Sequence, residues 1–102
     1  MPSDVRGLPD IDRLIHEPAR LALTAILSVV DSADFLYLQR ETGLTKGNLS
    51  SHLAKLEEAG YVSIEKTYRG RVPLTLVRLT GAGTAAYRAY RSRFKKFLEK
   101  TG

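Results

Sequence analysis

Between Thr45 and Gly60, leucine occurs only at Leu49, Leu53 and Leu56. At 100° per residue those three positions make a stripe about 40–60° wide, so the spacing predicts a helix buried along one narrow edge. Both ends of that helix are also written in the sequence. The Thr45 hydroxyl can accept a free N–H of the first turn, and Leu44 can staple onto Leu49. Asn48 stands where a full capping box would have Glu or Gln, so the box is incomplete. Gly60 suits a left-handed close, after which Tyr61 can fold back on Leu56 in a Schellman arrangement. With the leucines inward, Gly47 and Ser51 point almost directly away from the core, and Asn48, Ser50, Ala54 and Lys55 lie on the flanks.

The flanking segments extend this element in both directions. Residues 1–9 hold Pro2, Gly7 and Pro9 and read as a flexible N-terminal segment, with residues 10–102 as the folded domain. Asp10 or Asp12 can cap a short helical turn through Ile15. Pro18 fits the first turn of a longer helix reaching about Val30. Leu21, Ala22, Ala25, Ile26 and Val29 recur there at helical spacing, widened by Leu23, Leu27 and Val30, which predicts deep burial. Asp31-Ser32 then reads as a turn. A shorter helix spans Phe35 to Thr42, with Gly43 as its left-handed terminus. The connection Gly43-Leu44-Thr45 has the length of a helix–turn–helix turn.

After Tyr61 the period changes to two, and Val62, Ile64, Lys66 and Tyr68 share one face of a strand. Arg69-Gly70-Arg71 signals a turn. Pro73 can begin, but not sit inside, a return strand over about Leu74 to Leu79. The alternation in that strand is blurred and its register stays open. Thr80 caps a final helix to about Lys100, with Gly81 and Gly83 weakening its first turn. The expected fold is mainly α with a small β-hairpin: α-α-α-β-β-α with a long C-terminal helix, the element order of a winged helix-turn-helix.

Charge bears on the partner. The chain has a net charge of +5 and a pI near 9.7. Residues 1–60 carry six Lys/Arg against nine Asp/Glu, whereas residues 61–102 carry ten against two. That asymmetry points to an anionic partner met by the second half. No run approaches the 18 or so apolar residues of a membrane span, and MPSDVRGLPD lacks the layout of a signal peptide. There is no cysteine, hence no disulfide framework and no thiolate metal site. A cytoplasmic protein is expected.

The helix from Thr45 to Ala59 has the chemistry of a reading helix for a DNA major groove, which such a helix enters with its N-terminal half. Gly47 allows close approach of the backbone. Asn48 offers both a donor and an acceptor to an adenine edge, and Ser50 and Ser51 can serve base or phosphate. Thr45 and Lys46 sit where free N–H groups and the helix dipole favour a phosphate, and Lys55 reaches the backbone. Arg69 and Arg71 place two cations at the tip of the wing, residues 66–74, suited to a minor groove or the phosphate backbone.

These segments resemble the winged helix regulators of the MarR/ArsR type, in their compact single-domain form. "HEPARLALTAIL" matches the buried first helix, "TGLTKGNLSSHLAKLEEAGYV" the helix–turn–helix, "RGRVPLTLVRLT" the wing and "GAGTAAYRAYRSRF" the closing helix. The resemblance covers residues 11–98. It implies a homodimeric transcription factor, a repressor, on double-stranded DNA with a palindromic operator. It also implies that the terminal helix, residues 80–100, is the dimerisation element. The paired cysteine ligands of ArsR-type metal sensors are absent here, and no small-molecule effector is assigned.

Other residues bear on rival readings. Tyr87, Tyr90, Phe94 and Phe97 recur at 3-4-3 spacing, and that row is read as a dimer interface rather than plain core. His52 lies about 60–70° from the leucine stripe and reads as a packed or hydrogen-bonded edge residue; His16 reads as a loop or cap residue. Two histidines are too few for a metal site, and no cofactor is expected. No nucleophile–base pair can be built, because Ser51 and His52 point about 100° apart, so the chain is read as no enzyme. The rival reading is a winged helix used as a protein-interaction or assembly module. Glu57 and Glu58, which would repel phosphate at the end of the reading helix, give it its footing.

Overall fold

The computed structural model describes residues 11–101. The element order is α1 (Pro18–Leu27), β1 (Ala33–Asp34), α2 (Phe35–Thr42), α3 (Lys46–Glu58), β2 (Val62–Arg69), β3 (Val72–Leu79) and α4 (Gly81–Thr101). The three strands form one antiparallel sheet in the order β1-β3-β2. This is the expected winged helix with a long closing helix, plus one short strand that the sequence did not reveal. The expected flexible segment 1–9, and Asp10 as a cap, lie outside the described residues.

Local chemistry ends each helix. Glu17 caps α1 by accepting the Arg20 N–H at 2.8 Å, one residue before Pro18. Asp34 caps α2 through the N–H groups of Leu36 and Tyr37, and Gly43 closes it at φ 70°. Thr45 Oγ1 accepts the Asn48 N–H at 3.1 Å. At the other end of α3, Gly60 adopts φ 80°. The Gly60 N–H reaches the Glu57 carbonyl at 2.9 Å and the Tyr61 N–H reaches the Leu56 carbonyl at 2.9 Å. That pair of bonds is the Schellman close expected there. Asp12 Oδ1 accepts the N–H groups of Leu14 and Ile15, which fixes a turn ahead of α1.

Three expectations need correction. First, α1 stops at Leu27 and not near Val30. The Ser28 hydroxyl bonds back to the Ala25 carbonyl at 2.7 Å, and Val29 and Val30 are exposed. The chain must turn here so that Ala33 and Asp34 can pair with Val77 and Leu76 of β3. The helix is also less deeply buried than its composition suggests, since only Leu23, Thr24 and Leu27 are fully covered. Second, Pro73 lies inside β3, opposite Tyr68. It sits next to the Arg69–Val72 pair that closes the turn, where alternate pairs need no N–H from β3. On its other side β1 extends only as far as the Asp34–Leu76 pair, so no ladder there requires the missing N–H. Third, Gly83 is more than a weak helix former. A Cβ at that position would lie 2.0 Å from the Tyr61 carbonyl oxygen, so the glycine is what lets α4 seat on the chain leaving α3.

Two hydrophobic clusters hold the fold. The larger contains Leu23, Leu27, Ala33, Leu38, Leu49, Leu53, Leu56, Val62 and Val77. The smaller joins Ile11 and Ile15 to Tyr90 of α4, with Leu21, Ala86, Tyr87 and Phe94 packed around them. Tyr61 packs against both. Its hydroxyl donates to Asp12 Oδ2 at 2.5 Å. That bond to the carboxylate, then burial, then the negative charge of Asp12 push the phenol up to about 12.

The Tyr61 contact has a measurable consequence. An unfolded chain loses this proton near pH 10, whereas the folded chain keeps it to about 12. The stabilisation is therefore complete below pH 10 and disappears as pH rises toward 12. Burial also raises Tyr90. An alkaline absorbance titration should show late-ionising phenols, and Tyr61→Phe should remove the latest phase. At neutral pH that variant should lose about 1.5–3 kcal/mol in denaturant unfolding, the usual worth of a hydrogen bond to a charged group.

Candidate nucleic-acid interface

The leucine stripe does what its spacing predicts: Leu49, Leu53 and Leu56 are all buried. The rest of α3 therefore faces outward, and Thr45, Lys46, Gly47, Asn48, Ser50, Ser51 and Lys55 are all exposed. The outward surface has three strips. Gly47, Ser51, Ala54 and Glu58 run along the crest. Asn48, His52 and Lys55 lie on the flank toward α1, and Lys46, Ser50 and Glu57 lie on the flank toward the sheet.

The sheet-side flank borders a cleft of about 370 Å³ lined by Phe35, Lys46, Ser50, Leu53, Ala54, Glu57, Ile64, Lys66 and Thr75. This cleft joins α3 to the wing. Val62, Ile64, Lys66 and Tyr68 share one strand face, and their partners Leu79, Val77, Thr75 and Pro73 continue it across β3. The inner end of that face is core. Its outer end carries Lys66 and the 70% exposed Tyr68. A cation and an aromatic ring thus stand on the same side of the sheet as α3. Neither was singled out from the sequence as a site residue, although the period-two pattern had already placed both on this face.

Arg69 and Arg71 are both exposed at the wing tip, but they are not equivalent. Gly70 takes φ 64° at the first central position of the turn, as a two-residue hairpin turn of type II′ requires. Arg71 occupies the second turn position. Arg69 stands opposite Val72 and belongs to the strand face that carries Glu65 and Thr67, away from Lys66 and Tyr68. Arg78 on that far face is already paired with Glu65 at 3.0 Å.

His52 is the hydrogen-bonded edge residue expected. The Arg20 guanidinium donates to His52 Nδ1 at 2.9 Å and to the Leu14 carbonyl at 2.6 Å. Glu17 Oε1 lies 3.8 Å from the same imidazole nitrogen. Burial raises the Glu17 carboxyl, but the Arg20 N–H and the charges of His52 and Arg20 outweigh it, leaving the group below its ordinary value. Arg20 thereby ties α1 to the flank of α3. His16 is engaged too, through Nδ1 and the Tyr90 hydroxyl at 2.8 Å and through ring contacts with Tyr90 and Phe94.

The aromatic row of α4 is divided. Tyr90 is 2% exposed and packs on Ile11 and Ile15 of its own chain, so this member of the row expected at a dimer interface is core of its own chain instead. Tyr87 and Phe94 are half-buried against the same cluster. Phe97 stacks on Phe94 with centroids 6.3 Å apart, and Leu98 beside them is exposed. Among the described residues no group of three His, Cys, Asp or Glu side chains could hold a metal ion, and no helix is long and apolar enough to cross a membrane.

A family profile described as a winged helix DNA-binding domain matches residues 19–98. The chain belongs to that family. An uncharacterized protein of Methanocaldococcus jannaschii is 35% identical over 79 residues, covering 76% of this chain and 85% of the relative. A transcriptional regulator homologue from Pyrococcus horikoshii superposes with a TM-score of 0.88 at 30% identity, covering 93% of this chain and 96% of that one. A proposed MarR-family transcriptional regulator from Enterococcus faecalis gives a TM-score of 0.73 at 25% identity over 93% of this chain and 84% of its own.

The cap of α3 gives a direct test of how the site is held. Thr45→Ala removes the acceptor for the Asn48 N–H and should cost about 1 kcal/mol, read as a lower urea midpoint with an unchanged slope.

Proposed function

We propose that this protein is a sequence-specific DNA-binding transcriptional regulator that acts as a homodimer and represses by occupying its operator. The observation that carries this reading is the uncovered crest of α3, small and polar from Gly47 to Ser51, standing beside a wing face that offers Lys66 and Tyr68. An α-helix fits a major groove, and a crest without bulky side chains lets the backbone come close. Asn48 reads a base edge, Ser50 and Ser51 contact base or phosphate, and Lys46, Lys55 and Lys66 neutralise phosphates. Arg71 and Arg69 engage the minor groove or the backbone at the wing tip. The P. horikoshii and E. faecalis neighbours, described as transcriptional regulators, support the same assignment.

In this proposal the two copies join through the distal part of α4, using Phe94, Phe97 and Leu98, with Tyr87 at the margin. Tyr90 contributes from inside by holding α4 against Ile11 and Ile15. Symmetry then presents two reading helices to successive major grooves about 34–36 Å apart, and a palindromic operator follows from the two-fold axis. The exposed Glu57 and Glu58 keep a second reading in view, that of a protein-interaction or assembly module.

Selection of bound fragments from a random duplex library separates the two. A regulator should enrich one palindrome, with affinity falling steeply with salt. Asn48→Ala should lower affinity by about 1–3 kcal/mol and relax the preference at one base position, whereas Arg71→Ala should weaken all sequences alike and reduce the salt slope by about one. Equal binding to every duplex would favour the assembly module.

A further inference from the structure

Four parts of the chain meet at one dipeptide, Gly60-Tyr61. The Tyr61 N–H closes α3 on the Leu56 carbonyl, and the Tyr61 carbonyl accepts the Thr80 N–H at 3.0 Å. The Thr80 hydroxyl donates to the Gly60 carbonyl at 2.6 Å and accepts the Gly83 N–H at 3.0 Å as the cap of α4. The Tyr61 ring packs against both hydrophobic clusters, and its hydroxyl reaches Asp12. Above the same carbonyl lies Gly83, where a Cβ would come within 2.0 Å of the oxygen and 2.8 Å of its carbon. Among the described glycines, Gly83 alone has any such neighbour within 4 Å.

We infer that Gly83 is a positioning residue that sets the angle between the reading helix and the dimerisation helix, and through it the spacing of the two half-sites this protein accepts. The inference rests on the homodimeric DNA-binding reading above. Its physical basis is that the seat is backbone against backbone. A flexible side chain in the way could rotate aside, but the Tyr61 carbonyl is held by the Thr80 N–H, on a residue whose own N–H closes α3, and so has little room to move. The lever is long: α4 has 21 residues, about 31 Å at 1.5 Å per residue. A side chain at Gly83 must lift the first turn by about 1 Å. Over a contact arm of about 10 Å that tilts the helix by about 6°, which displaces its far end by about 3 Å. One base pair rises 3.4 Å. Carried in both copies of a two-fold dimer, a methyl group at Gly83 therefore shifts the half-site spacing by an amount on the order of a base pair.

The test compares wild type, Gly83→Ala and Tyr61→Phe in the same random-duplex selection, followed by titration on an isolated half-site and on full sites with the spacer lengthened and shortened by one base pair. Tyr61→Phe removes the Asp12 contact but leaves the backbone seat intact. Gly83→Ala should enrich the same half-site sequence with a spacer shifted by about one base pair or broadened. It should lose tenfold or more in affinity on the wild-type full site and keep its half-site affinity. Tyr61→Phe should keep the wild-type spacer. The inference is overturned if Gly83→Ala retains the wild-type spacer preference, or if half-site and full-site affinity fall together. If the wild type itself enriches no paired half-sites, the dimeric operator reading fails first, and this inference falls with it.

Discussion

Burial of Leu49, Leu53 and Leu56 is the constraint from which the rest of the molecule follows. Each leucine removed from water stabilises by about 1.5–3 kcal/mol, and all three are buried on one edge of α3. The helix needs that support. Gly47, Asn48, Ser50 and Ser51 are weak helix formers, and they crowd the half that would enter a groove. Intrinsic propensity therefore works against α3 where its surface chemistry matters most. Packing below and the caps at Thr45 and Gly60 hold the helix, which leaves the crest free to be small and polar.

The parts of the fold that were legible in the sequence share a cause: their signals lie within four or five residues of the structure they specify. Thr45, Thr80, Gly43 and Gly60 act on backbone groups in their own turn, and the leucine spacing acts within one helix. The parts that were not legible depend on distant partners. β1 exists because β3 offers Val77 and Leu76 more than forty residues later, and two residues carry no periodicity. Pro73 is tolerated because β1 is too short to reach it. Gly83 looked like a defect because the carbonyl it accommodates belongs to Tyr61. Tyr90 looked like an outward aromatic because Ile11 and Ile15, which cover it, come from the opposite end of the chain. The site divides the same way. Helical geometry alone exposed the α3 residues, whereas Lys66 and Tyr68 became visible as partners of the cleft only once the register of β3 was known.

Charge along α3 gives the helix a direction. Its N-terminal end offers free N–H groups with Lys46 beside them, favourable to phosphate. Its C-terminal end carries Glu57 and Glu58, where an acidic side chain opposes the dipole and gains nothing from it. Glu57 lines the cleft shared with Lys66 and Lys46; Glu58 lies on the crest. A duplex approaching this surface is drawn to one end and repelled at the other. The same acidic residues that suggest a protein partner also orient a DNA partner, so their presence weakens the DNA reading less than their charge alone implies.

The two hydrophobic clusters explain why so small a chain has so long a final helix. The larger cluster completes the helix–turn–helix and the base of the wing without much of α4. The smaller one begins where Ile11, Ile15 and His16 close over Tyr90 and Phe94, so the segment ahead of α1 fastens α4 to the body together with Leu21 of α1 and the Tyr61–Gly83 seat. Among the described residues, Phe94 is the last position of α4 that belongs to either cluster, yet the helix continues to Thr101. Phe97 continues the row by stacking on Phe94, and Arg88, Arg91 and Lys95 line the adjoining hollow of about 640 Å³, so this end of the helix is not purely apolar. The smaller cluster thus holds α4 as far as Phe94, and in the proposed dimer the turns beyond it meet the second copy. In the proposed dimer the direction of α4 is then set where the helix leaves the body, at the close approach of Gly83 to the Tyr61 carbonyl.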